Sequence, residues 1–365
     1  MKHTRLRRIL SPLRGLCAVL CALSLILALG ACAPAETVLG WFGGKWVDDK
    51  PYENYKMGDF IKLGAYKGVE AEFVTLEEYI GLIFAQYGAV LGIADDPAKT
   101  VISEGDLVHF DFEGSAPGIS EENKAGMKGT TLLVIGSGNF IPGFEDQMIG
   151  QGRDKEFDVT VTFPEEYGPE GSPQAELNGK EVVFKCTVYK IGGPSEKITD
   201  EGVFNLTQGE FATLADFEVL FQEDVVGYNQ HMAFDAAFDN AAILKLPSKE
   251  QKYWDGRLAD IAAGSGMSPE DFAMQAGFES AQEYRDEQVV NELFLYAVAQ
   301  KEGITVTDED VQELLAEIRA EGYQGTDAEL YSEFGGKGYF LRHLTREKVT
   351  KFLYENAKGV PAEAE

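Results

Sequence analysis

LVIGSGNFIPGFEDQMIGQGRDKEFDVTVTFPEEYG, residues 133–168, carries several structural signals in one run. An apolar strand ends near Ile135, and Gly136-Ser137-Gly138 follows it. A phosphate-binding loop of that outline carries a Lys before its helix. None stands here, and a short helix near Pro142 comes next, so that reading is excluded. Phe157, Val159, Val161 and Phe163 then alternate with Asp158, Thr160 and Thr162. Period-2 alternation is the mark of a half-buried strand.

The neighbouring segments extend this pattern. Strands are predicted over Leu107–Phe112, Thr131–Ile135, Lys155–Thr162 and Lys180–Lys190. Asn178-Gly179 is a strong turn signal before the last of them. Residues 99–192 thus read as a small antiparallel β domain. Upstream, Val69, Ala71 and Phe73 alternate with Glu70 and Glu72, a short strand. Thr75 with Glu78 three residues on forms a capping box for a helix. Downstream, residues 193–360 are helical. Helix starts are marked by Thr213 before Asp216, Ser248 before Gln251, Ser268-Pro269, Ser280 before Glu283 and Thr307 before three acids. The fold class is α+β, a small β domain with a mainly helical one.

Composition narrows the function. The 365 residues carry 32 Lys plus Arg against 61 Asp plus Glu, a net charge of −29. An acidic surface argues against nucleic acid, whose phosphates demand cations. His3, His109, His231 and His343 are scattered and make no metal cluster. Four Cys build no disulfide framework.

The N-terminus reads as an address. Lys2, Arg5, Arg7, Arg8 and Arg14 precede an apolar run, Leu16–Leu29, and no acid occurs before Glu36. This is a signal peptide over 1–31. The run is about 14 residues, short of the roughly 20 that span a bilayer. It ends in Leu29-Gly30-Ala31-Cys32, which resembles a bacterial lipobox and implies lipidation of Cys32 at an extracytoplasmic membrane face. A Gly- and Pro-punctuated tether is expected over 32–57, and a strand and helix joining the helical domain over 58–98. With the signal removed, 27 cations against 61 acids give −34. Cys186 then has no intramolecular partner.

Residues 105–115 (GDLVHFDFEGS), 133–168 and 177–191 (LNGKEVVFKCTVYKI) together resemble the FKBP-type peptidyl-prolyl isomerases. FIPGFED followed by VTFPEEY is most similar to the isomerase domain of the trigger factor family. SPEDFAMQAG (268–277) and LFLYAVAQKEGITV (293–306) resemble its helical chaperone arms. No basic ribosome-docking loop occurs, so a form without ribosome binding is expected. The resemblance implies a foldase that isomerises X–Pro bonds in exported, unfolded polypeptides. No metal, nucleophile or cofactor is required. It implies a pocket of Phe112, Phe140, Phe144, Tyr167 and Phe184, with Leu177 on the rim. It further implies that the Ile141 amide receives the substrate carbonyl and that Tyr167 offers a hydroxyl to one. Phe110, Phe157 and Phe163 are expected in the core.

One departure stands out. SAPGISEENKAGMKGTTL (115–132) places Asn123 and Thr131 where the family has aromatics, with Met127 near enough to fill the gap. A second reading follows, a non-catalytic chaperone with a degenerate pocket. A two-lobed solute-binding lipoprotein is a third, poorly matched to one β block and a helical tail. Phe234 and Phe238, four apart, read as helix core or as a client groove.

Overall fold

A computed structural model describes residues 51–320, 322–334 and 336–361. Cys32 and the signal segment lie outside the described residues. The chain divides into two units, one of 74–225 and one of the preceding residues with 226–361. β1 (Ile61–Lys62) and β2 (Glu70–Phe73) open the latter.

The 74–225 unit begins with α1 (Leu76–Gln86). Its predicted capping box forms: the Thr75 hydroxyl accepts from the Glu78 N–H at 3.2 Å, and the Glu78 carboxylate accepts from the Thr75 N–H at 2.7 Å. β3 (Ile93–Asp95), β4 (Leu107–Ser115), α2 (Glu121–Gly126), β5 (Lys128–Val134), α3 (Phe144–Met148), β6 (Glu156–Thr162), β7 (Glu181–Pro194) and α4 (Asp200–Leu206) follow. The sheet order is β3-β7-β4-β5, with β6 also paired to β7, and every pairing is antiparallel. β7 is long enough, at 14 residues, to pair with three strands along its length. Alternation sends Val182, Phe184, Cys186 and Val188 of β7 to the same core as Val159 and Val161 of β6 and Phe110 of β4. α3 covers that face with Phe144 and Met148. The expected core residues Phe110 and Phe163 are buried there, and Phe157 is half-buried against them. β5 is an outer strand, and Asn205 of α4 blunts it by accepting from the Leu132 N–H at 3.1 Å.

α5 (Leu214–Phe238) crosses the boundary between the units at residue 225. The helical domain of the sequence reading, 193–360, therefore divides within a helix. α1, assigned to the helical part from its sequence position, belongs with the β sheet unit.

In the other unit β1 pairs antiparallel with β8 (Ala242–Ile243). α6 (Ser248–Gly264), α7 (Pro269–Gln275), α8 (Ala281–Glu302), α9 (Asp308–Ala320), α10 (Asp327–Phe334) and α11 (Lys337–Asn356) lead to β9 (Lys358–Pro361), parallel to β2. Ser268, Ser280 and Thr307 cap their helices as expected. Ser248 does not: extended Pro247 is the cap, and Ser248 is the first helical residue. α8 buries Val289, Leu293, Phe294 and Val298. Phe234 and Phe238 each meet Phe294 edge-on at 5.4 Å, with Phe234 buried in this core and Phe238 half-buried against it. Residues 51–57, expected as tether, join the same core: Tyr52 stacks on Tyr296 at 4.4 Å and Met57 is buried. Arg342 is buried between Glu250, at 2.5 Å, and Glu292, with its guanidinium over the Tyr253 ring.

Candidate active site

Gly143 takes a left-handed turn and starts α3, which drops Phe144 onto the sheet. Phe144 is buried, with Phe140 at 4.8 Å and Phe184 edge-on at 5.4 Å. Phe112 of β4 meets Phe140 edge-on at 6.0 Å and Phe184 at 6.3 Å. Gly114 makes this packing possible, since a Cβ there would lie 2.6 Å from the Phe184 ring. Four of the five predicted aromatics thus form one continuous cluster.

Burial grades across it. Phe144, Phe184 and Leu177 are buried, while Phe112, Phe140 and Ile141 are half-buried. Tyr167 is 47% exposed, and its ring packs edge-on against Phe163, which continues to Phe184. The Ile141 N–H and the Tyr167 hydroxyl have no hydrogen-bond partner among the described residues. The arrangement is a buried aromatic floor, a half-buried rim and two donors without a partner among the described residues. It suits an apolar ring with an adjacent carbonyl.

The Ser137 loop is organised by a residue that sequence reasoning missed. Glu145 is 7% exposed, and its carboxylate accepts from the N–H groups of Gly136 (2.7 Å), Gly138 (3.1 Å) and Phe140 (3.1 Å). The amides that resembled a phosphate loop are already occupied by an internal anion. Burial alone would raise the Glu145 pKa, but the N–H donors of Gly138, Phe140 and Gly136 outweigh it and hold the carboxyl below its ordinary range. The FIPGFED motif presents Glu145 beside Asp146, and nothing in the pattern says which acid turns inward. The Cys186 thiol is buried, which pushes its pKa up to about 12.

The divergent 115–132 segment carries α2 and the start of β5. Ser120 caps α2, Met127 is buried in the aromatic core, and the Gly114 N–H donates to Met127 O at 2.8 Å. Met127 therefore packs where the sequence leaves a gap. Asn123 and Thr131 serve other contacts. The Thr131 hydroxyl donates to Asn205 at 2.8 Å, and Asn123 donates to the turn at Pro173–Leu177.

The sequence is similar to known proteins. The family model for FKBP-type peptidyl-prolyl cis-trans isomerase matches residues 98–189. Trigger factor of Halothermothrix orenii is 31% identical over 319 residues, 81% of this chain and 72% of that protein. Trigger factor 1 of Desulfitobacterium hafniense is 31% identical over 324 residues, 81% of this chain and 73% of that protein. Trigger factor of Geobacter metallireducens is 33% identical over 280 residues, 69% and 60% of the two chains.

Proposed function

The chain belongs to the trigger factor family, an FKBP-type peptidyl-prolyl isomerase with chaperone function, and we propose that it serves exported polypeptides from a lipid tether at Cys32. The chemistry follows from the aromatic floor. Rotation about an X–Pro bond must give up amide resonance, against about 18–20 kcal/mol. Water favours the planar, polarised amide by hydrogen bonding to it. Phe112, Phe140, Phe144 and Phe184 strip that water when the proline ring enters. The Ile141 N–H then donates to the carbonyl of the bound peptide, and the Tyr167 hydroxyl donates to a second one. The planar ground state loses more in this environment than the twisted transition state does.

The observation that carries this site is the continuous ring cluster with an unpaired donor at its edge. Titrating a short Ala-Pro peptide into ¹⁵N-labelled protein tests it. The Ile141 amide resonance shifts downfield, and the shift is lost in Phe144→Ala. An Ile141 amide that stays in place while the peptide binds elsewhere contradicts the assignment.

The tether rests on the sequence alone. The basic residues before Leu16–Leu29, and Leu29-Gly30-Ala31-Cys32 after it, support export and lipidation. No helix among the described residues is long and apolar enough to cross a membrane. A chain of charge −34 is repelled by anionic lipid, so attachment depends on the acyl groups at Cys32. Cys32→Ser shifts the protein from the membrane pellet to the soluble fraction. An unchanged distribution contradicts the tether.

A further inference from the structure

Two segments 53 residues apart meet beside the rim of the pocket. Asn123 Nδ2 donates to Glu176 Oε2 at 2.6 Å and to Pro173 O at 2.8 Å. The Ser120 N–H donates to the same Glu176 oxygen at 3.0 Å. Asn123 is 6% exposed, so its amide depends on these partners. The next residue after Glu176 is Leu177, buried in the aromatic core. The following one, Asn178, clamps Gly168: its Oδ1 accepts from the Gly168 N–H at 2.8 Å, and its Nδ2 donates to Gly168 O at 3.0 Å. Gly168 lies flat against the turn, since a Cβ there would stand 2.4 Å from Ala175 N. Tyr167 therefore rides on a loop closed at its foot by Asn178. The far turn of that loop is bound to α2 by Asn123 and Glu176.

We propose that Asn123 and Glu176 are positioning residues, a latch that fixes the Tyr167–Leu177 rim and thereby sets the affinity of the isomerase for its substrate. The proposal rests on the reading of Tyr167 and Leu177 as substrate contacts. It gives a role to the family's missing aromatic: an amide there ties down the rim from outside the pocket. Hydrogen bonds from Ser120, then Asn123, with Lys180 nearby, hold Glu176 ionised down to about 2. The other charges on α2 are Glu121, Glu122 and Lys124, the last paired with Glu121 at 2.6 Å. The latch is closed across the neutral range because the Glu176 oxygens carry no proton there and remain acceptors for Ser120 and Asn123.

Asn123→Asp tests this by setting two carboxylates against each other. At neutral pH the KM for an X–Pro peptide rises about tenfold, the equivalent of one lost charge-assisted hydrogen bond. The kcat stays within about twofold, since the floor is untouched. KM recovers as the pH falls toward about 5, because one proton shared by two close carboxyls remakes the bond. Glu176→Gln retains an acceptor and stays near the wild type, while Glu176→Ala behaves like Asn123→Asp at neutral pH. Amide hydrogen exchange over 164–178 follows KM in each variant. A KM that ignores pH in Asn123→Asp, or a Glu176→Gln as impaired as Glu176→Ala, overturns the latch. So does faster exchange with KM unchanged, if Tyr167→Phe raises KM. If Tyr167→Phe and Leu177→Ala both leave KM unchanged, the reading of the rim fails instead, and the exchange response alone reports the latch.

Discussion

Phe144 and Tyr167 sit at opposite ends of the burial range in the same cluster, so their truncations separate stability from catalysis. Phe144→Ala is expected to cost about 3–5 kcal/mol in denaturant unfolding, together with activity. Tyr167→Phe is expected to leave stability within about 0.5 kcal/mol and lower activity only. Equal stability losses for the two would contradict the burial gradient. Glu145 adds a pH dependence. Its folded pKa is held below the unfolded value, so its contribution is complete above the unfolded pKa and is lost as pH falls through the folded one. Amide protection at Gly136, Gly138 and Phe140 falls in that acid range, and Glu145→Ala shows the same loss at neutral pH. Cys186 is expected to resist alkylation in the native protein and react on unfolding, because burial keeps its thiol protonated. Rapid native labelling would contradict its placement. Phe112, Phe140, Phe144 and Phe184 were legible because each stands within a contiguous motif. Asn123 was not, since its partners Pro173 and Glu176 lie 50 and 53 residues away and no local pattern encodes them.

Elements follow the same division between local and distant causes. The capping box at Thr75 and the acid-led helix start at Thr307 are readable because donor and acceptor are three residues apart. β6 was readable from alternation, since one face meets the core and the other water. Ser248 misled because the same capping spacing was offered one residue after Pro247, and Pro247 takes the extended cap geometry. The burial of Tyr52 and Met57 has no local signal either. Tyr52 finds its partner Tyr296 on α8, far along the chain. The joining of α6, α8 and α11 through Glu250, Glu292 and Arg342 is likewise invisible in local sequence. Burial raises the Glu292 pKa, against the opposing pull of Arg342. Arg342→Met strands both carboxylates in the core and is expected to cost about 3–5 kcal/mol. Replacing all three residues by apolar ones of similar volume is expected to restore most of that stability. Calorimetry of the two variants decides it, and a neutral Arg342→Met would contradict the buried pairing.

For the whole molecule, the acidic charge argues against nucleic acid as a partner, and the composition says little about the fold. The isomerase domain and its catalytic class came from the motif run at 133–168 and are matched by the family model over 98–189. The division at residue 225 was not legible, because α5 runs through it without a Pro, a Gly pair or a change in composition. The central claim is that the cluster of Phe112, Phe140, Phe144 and Phe184 turns X–Pro bonds. Refolding of a client limited by proline isomerisation, with the chain from Cys32 onward added in catalytic amounts, tests it most directly. A faster slow phase that scales with protein concentration is expected, with the acceleration per mole strongly reduced in Phe112→Ala, a half-buried position whose loss the fold tolerates better than that of Phe144. A slow phase that keeps its uncatalysed rate, or one accelerated equally by the wild type and by folded Phe112→Ala, would contradict it.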